Sequence, residues 1–138
     1  MSADKDEELK RIMLVEDDAD IRTVATMALE MVGGMQVHAF GSGEEAIAAV
    51  AGVAPQLIVL DVMMPGMNGP EVLVRIRERV ETADIPVVFM TAKVQPEEVE
   101  RLRALGVLDV IAKPFDPMTL ADGIKALWAR LPKQDVSK

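Results

Sequence analysis

Four places in the chain pair a short apolar run with a residue able to do chemistry. The most informative is Leu57-Ile58-Val59-Leu60-Asp61-Val62-Met63-Met64-Pro65-Gly66-Met67-Asn68-Gly69, where four apolar residues carry an aspartate to a strand end and a Pro/Gly turn breaks the chain. A carboxylate so placed stands at the carboxyl mouth of a sheet, where open α/β folds bind their ligands. Alone it is an ordinary turn-starter. Glu16-Asp17 follows the first apolar run, however, Thr91 the fourth and Lys113-Pro114 the fifth. Adjacent acids repel one another and a cation relieves them; Glu16, Asp17 and Asp61 offer the hard oxygens that suit Mg²⁺. Asp61 is the candidate nucleophile, because carboxylates form acyl phosphates. Thr91 is placed to hydrogen-bond one phosphoryl oxygen and Lys113 to neutralise another. Catalysis of a loose phosphoryl-transfer transition state is mostly positioning and charge, so the set suits that reaction. Taken singly, Thr91 reads as a strand-end threonine and Lys113 as a surface lysine; the joint pattern carries the chemistry.

The elements that must hold these residues alternate along the whole chain. Short apolar strands and amphipathic helical stretches follow one another, the pattern of an α/β fold with a parallel sheet covered on both faces. Strands are expected at Ile12 to Val15, about Gln36 to Phe40 (more alternating, as at an edge), Leu57 to Leu60, Val87 to Met90 and about Leu108 to Ala112. Helix one uses Ile21, Val24, Ala25, Ala28, Leu29 and Val32 and stops at Gly33-Gly34. Ser42-Gly43-Glu44-Glu45 has capping-box spacing and opens helix two through Val50. Helix three begins near Gly69 and uses Val72, Leu73, Ile76 and Val80. Helix four has Pro96 in its first turn and ends at Gly106; helix five starts at Asp116-Pro117 and carries Leu120, Ile124, Leu127 and Leu131. One domain over 10–132 is expected, with polar tails at 1–9 and 133–138.

With 138 residues, half of them hydrophobic, the chain suffices for one good core. A net charge of −8 argues against direct nucleic-acid binding, which needs a basic face. There is no cysteine, hence no disulfide, thiolate site or cysteine nucleophile. No apolar signal core or membrane span is visible, so a cytoplasmic protein is expected.

Val15-Glu16-Asp17-Asp18, Leu60 to Gly69, Met90-Thr91-Ala92 and Lys113-Pro114-Phe115 resemble, in order and spacing, the receiver domain of two-component response regulators, over roughly residues 11–131. The resemblance implies a flavodoxin-like (βα)5 three-layer sandwich whose five-stranded parallel sheet has the order 2-1-3-4-5. It implies that Asp61 accepts a phosphoryl group from a sensor histidine kinase or a histidine phosphotransfer protein. It further implies that Glu16 and Asp17 are the acid pair, with Asp17, Asp61 and the Met63 carbonyl holding Mg²⁺. Thr91 and Lys113 match the family's switch hydroxyl and lysine, and small Ala92 leaves the phosphoryl group accessible. An X-Pro bond such as Lys113-Pro114 is a candidate for the cis form. One position departs from the family: Val110 stands where receivers usually carry Tyr or Phe, so the face of helix four, strand five and helix five is expected to respond weakly. Met63 and Lys93 flank the phosphate position, and a thioether cannot orient water strongly, which predicts slow self-hydrolysis.

The reading is of a stand-alone phosphoacceptor signalling protein rather than a turnover enzyme, a monomer or weak dimer acting on a downstream protein target. Rival readings are a receiver-shaped module that does not use phosphate, a piece of a longer regulator with a separate output, and an aspartate-nucleophile phosphatase. The last would need a second carboxylate where Met63 stands. His38, the single histidine, gives little claim to being a phosphohistidine donor. Gly41-Ser42-Gly43 reads as a helix entry, and Trp128 is compatible with either the core or a partner surface.

Overall fold

A computed structural model describes residues 8–132. Five parallel strands, β1 (Arg11–Val15), β2 (Gln36–Phe40), β3 (Leu57–Asp61), β4 (Val87–Thr91) and β5 (Asp109–Ala112), form one sheet in the order β2-β1-β3-β4-β5. The helices between and after them are α1 (Ala19–Met27), α2 (Gly43–Val53), α3 (Gly69–Arg77), α4 (Pro96–Arg103) and α5 (Leu120–Ala129). The central strands β3 and β4 are buried at every position, as the unbroken apolar runs require, whereas β2 and β5 lie at the edges and are only partly covered.

Side chains alternate between two cores, one on each face of the sheet. Ile12, Leu14, Leu57, Val59, Val88 and Met90 pack with Ala25 and Leu29 and with Leu120, Ile124 and Trp128 of α5. Met13, Val15, Ile58, Leu60 and Phe89 pack with Ala46 and Val50 of α2, Val72, Leu73 and Ile76 of α3, and Leu102 of α4. Trp128 therefore belongs to the core. This is the flavodoxin-like three-layer sandwich that the resemblance implied.

Several boundaries differ from the expectation. The helix after β1 changes character: α1 ends at Met27 and a turn of π-helix, Ala28–Val32, continues to Gly33. Its apolar stripe is only half buried, since Val24 and Val32 are exposed while Ala25, Ala28 and Leu29 are covered. Val80 lies beyond α3 and is 93% exposed; buried Thr82 follows, its Oγ1 donating to the Ile76 carbonyl at 2.6 Å and closing the α3 end. Asp116-Pro117 opens a turn rather than α5: Asp116 Oδ1 accepts from Met118 N, its carbonyl accepts from Leu120 N, and the helix begins at Leu120. Leu108 precedes β5, and Leu131 follows α5 while still packing on the first core. The tails expected at 1–9 and 133–138 lie outside the described residues except for Glu8 and Leu9. Leu9 is buried in the first core, and the Gln56 side chain donates to the Glu8 carbonyl and accepts from the Lys10 and Arg11 amides.

Candidate functional site

The parallel sheet brings the carboxyl ends of β1, β3, β4 and β5 to one edge, and each delivers one of the predicted residues. Asp61 is the last residue of β3 and is 2% exposed. Register pairs Leu60 with Val15 and Asp61 with Met90, so Glu16 and Thr91 emerge on either side of it. Past the next strand, Thr91 pairs with Ala112 and Lys113 follows. The peptide bond after the lysine is cis.

The side chains converge. Lys113 Nζ lies 3.0 Å from Glu16 Oε1 and 3.1 Å from Asp61 Oδ1. Carboxylate oxygens of Glu16, Asp17 and Asp61 all lie within 4.8 Å of one another. Burial, with the Glu16 charge next, pushes the Asp61 carboxyl up to about 6 despite Lys113. Burial draws the Lys113 ammonium down, but the hydrogen bonds it donates to Glu16 and Asp61 outweigh it and hold the group above its ordinary value. Three acids facing one ammonium leave an excess of negative charge at a nearly buried point, which is the electrostatic signature of a site suited to a cation. The oxygen-only donor set fits Mg²⁺. Asp17 is the exposed member of the three, and buried Glu16 is committed on its other oxygen, where Oε2 accepts from Asp18 N at 3.0 Å.

Local sequence explains the placement. Asp18 caps α1 by accepting from Ile21 N, which turns the chain sharply after the acid pair. On the other side Asn68 caps α3 and Glu71 bonds back to the Asn68 amide, a complete capping box. Gly69 allows α3 to start against Asp61: a Cβ there would stand 2.6 Å from the Asp61 carbonyl oxygen and 2.9 Å from Val62 Cα. Thr91 is buried, and its Oγ1 accepts from the Lys93 amide at 3.0 Å, while Ala92 and Lys93 are exposed at the rim. Met63 is 56% exposed, and a cleft of about 720 Å³ runs from Met63, Thr91 and Lys93 to Glu98 and Arg101 of α4. Val110 sits in β5 opposite Phe89, partly buried against the second core.

Sequence reasoning missed three contributors. Arg22 donates to the backbone of both acid-pair residues. The Asn68/Glu71 box was legible from its Asn-x-x-Glu spacing. Asp109, clamped by Arg103 Nε at 3.0 Å and Arg130 Nη1 at 3.1 Å, ties α4 and α5 to β5 and had no local signal at all. Ser42 caps α2 as expected, so Gly41-Ser42-Gly43 is a helix entry. His38 lies in β2 with its Nε2 buried and without a hydrogen-bond partner among the described residues.

A family model for the response regulator receiver domain matches residues 12–125. The chain belongs to the receiver domain family. It is 36% identical over 121 residues to the phosphate regulon transcriptional regulatory protein PhoB of Pseudomonas aeruginosa, covering 88% of this chain and 52% of that protein. It is 37% identical over 123 residues to the DNA-binding response regulator MtrA of Mycobacterium leprae, with 88% and 52% covered. The receiver thus spans about half the length of the curated relatives it matches. Among solved structures, the chemotaxis response regulator CheY4 of Vibrio cholerae superposes with a TM-score of 0.79 at 27% identity, over 86% of this chain and 98% of that one. The beryllofluoride-activated DrrB receiver domain gives 0.73 at 30% identity, over 88% and 99%. Receiver domains of response regulators are signalling proteins of two-component systems rather than classical enzymes. No helix among the described residues is long and apolar enough to cross a membrane.

Proposed function

We propose that this receiver, over residues 10–132, stores a signal as a phosphoryl group on Asp61. The observation that carries the reading is the convergence of Asp61, the Glu16/Asp17 pair, Thr91 and Lys113 on one strand-end edge, with Lys113 at 3.1 Å from the nucleophile. An Asp61 carboxylate oxygen forms a bond to phosphorus as the phosphorus–nitrogen bond of a partner's phosphohistidine breaks. The electron pair leaves with the imidazole of that sensor histidine kinase or phosphotransfer protein. Asp17, Asp61 and the Met63 carbonyl would hold Mg²⁺, with Glu16 anchoring Lys113 beside them. The bound ion supplies positive charge for the transferring phosphoryl oxygens. Lys113 neutralises one of those oxygens, Thr91 turns its hydroxyl toward another, and Ala92 leaves the entry open.

Output is proposed through contacts with a downstream protein, without direct contact of this unit with nucleic acid, in the cytoplasm, as a monomer or weak dimer. The phosphoaspartate is proposed to be long-lived, because Met63 offers no strong hydrogen bond to an attacking water and Lys93 stands at the rim. Intact-mass measurement after acetyl phosphate treatment tests the central claim. One added phosphoryl group is expected with Mg²⁺, and none without Mg²⁺ or in Asp61→Asn. Absence of the adduct in the parent, with decay during the measurement ruled out by rapid quenching, would favour the phosphate-independent module.

A further inference from the structure

The geometry points to Arg22 as a positioning residue that sets Asp17 for Mg²⁺, and this rests on the metal reading above. Its Nη1 donates to the Glu16 carbonyl at 2.8 Å and to the Asp17 carbonyl at 3.4 Å. The guanidinium thus holds the backbone of the two acids without engaging the Asp17 carboxylate. The same group lies beside Gly41, where a Cβ would come within 3.0 Å of Nη1 and 3.5 Å of Cζ. Gly41 is itself tied down, its amide donating to Glu45 Oε1 at 3.3 Å, and Glu16 N donates to the Phe40 carbonyl at 3.0 Å. Arg22 therefore bridges the loop after β1 and the loop after β2.

The three acids do not need this bridge equally. Asp61 is fixed by β3, and Glu16 by burial and Lys113. Asp17 is exposed, one residue past the strand end, and the Arg22 contact restrains its backbone. Groups that orient a metal ligand from behind change affinity without touching the metal, commonly by 10- to 100-fold.

The test is calorimetric titration of Mg²⁺ into the full chain for the parent, Arg22→Met, Arg22→Lys and Asp17→Asn, beside melting curves without Mg²⁺. Arg22→Met keeps the aliphatic stem and removes the donor and the charge. Its Mg²⁺ Kd is expected to rise about tenfold. The Mg²⁺ concentration for half-maximal phosphorylation should rise in parallel, with the rate at saturating Mg²⁺ kept within about twofold. Arg22→Lys, able to offer one donor to the same carbonyls, should fall nearer the parent. A Kd raised less than threefold in Arg22→Met, or a lysine variant as weak as the methionine one, overturns the inference. Should Arg22→Met fail to fold, Arg22→Leu, which also lacks a donor, is read against the same threefold line. Asp17→Asn separates the two readings. Undisturbed Mg²⁺ binding there overturns the metal reading and this inference with it. Binding lost there but kept in Arg22→Met overturns this inference alone.

Discussion

Asp61, the proposed phosphoacceptor, is held in a charged state at the expense of the fold. Burial first, and Glu16 second, hold its carboxyl at about 6 against a usual 3.8. Between those values the folded chain binds more protons at this position than the unfolded chain does. The contribution of Asp61 to stability is therefore full below about pH 4 and is lost as pH rises through about 6, in the absence of Mg²⁺. Asp61→Asn removes one of the mutually repelling acids and leaves Lys113 its bond to Glu16. We expect the variant without Mg²⁺ at pH 7.5 to gain about 1 kcal/mol, or roughly 4 °C in Tm. At pH 4, where the parent carboxyl is already protonated, the gain should vanish. Melting curves at the two pH values check this; an equal gain at both would place its origin in packing rather than in charge. Mg²⁺ should narrow the difference at pH 7.5, because it stabilises the parent alone by mass action.

At the scale of elements, the two loops around Asp61 are shaped by short-range rules that were partly legible. The unbroken apolar runs at Leu57 to Leu60 and Val87 to Met90 declared buried parallel strands, each of which runs one residue further, so that Asp61 and Thr91 are the last strand residues rather than the first after them. Where helices begin and end was harder. Val80 fits the helical period of Val72, Leu73 and Ile76, yet the chain leaves α3 at Arg77, because buried Thr82 bonds back to Ile76 and closes a turn. The π-turn after α1 and the Asp109 clamp depend on partners far along the chain, which no local window contains. Gly69 shows the same limit: the sequence marked it as part of a turn, whereas in the structure its backbone closely approaches the backbone of Asp61 and Val62. Gly69→Ala would drive a Cβ into the Asp61 carbonyl and Val62, atoms that belong to rigid chain. A loss of about 2 kcal/mol in urea unfolding is expected. Slower phosphorylation should accompany it, since the strand end that carries Asp61 must shift.

For the whole molecule the question is how far a charge at one sheet edge is felt. The clamp of Arg103 and Arg130 on Asp109 joins α4, β5 and α5, and Arg77 donates to the Leu105 and Gly106 carbonyls, fixing the end of α4 to α3. Val110 lies inside this framework, packed against the second core, with no aromatic ring to swing. Thr91 sits between that face and the site, its hydroxyl already accepting from Lys93 N. Phosphorylation would ask Thr91 to turn toward the phosphoryl oxygens, but the vacated space has no large side chain to follow it. A switch needs an element with two packings of similar energy, and the described residues of this face present one well-tied arrangement. The chain should therefore signal mainly through the loops beside Asp61, with smaller changes across α4, β5 and α5. Amide chemical shifts with and without beryllofluoride and Mg²⁺ check this. Large shifts are expected at residues 61–69 and 91–95, and small ones at 109–112 and along α5. Val110→Tyr should enlarge the second group by restoring a side chain able to move with Thr91. Large shifts across β5 and α5 in the parent would show that valine suffices, and that the clamp yields when Asp61 is charged.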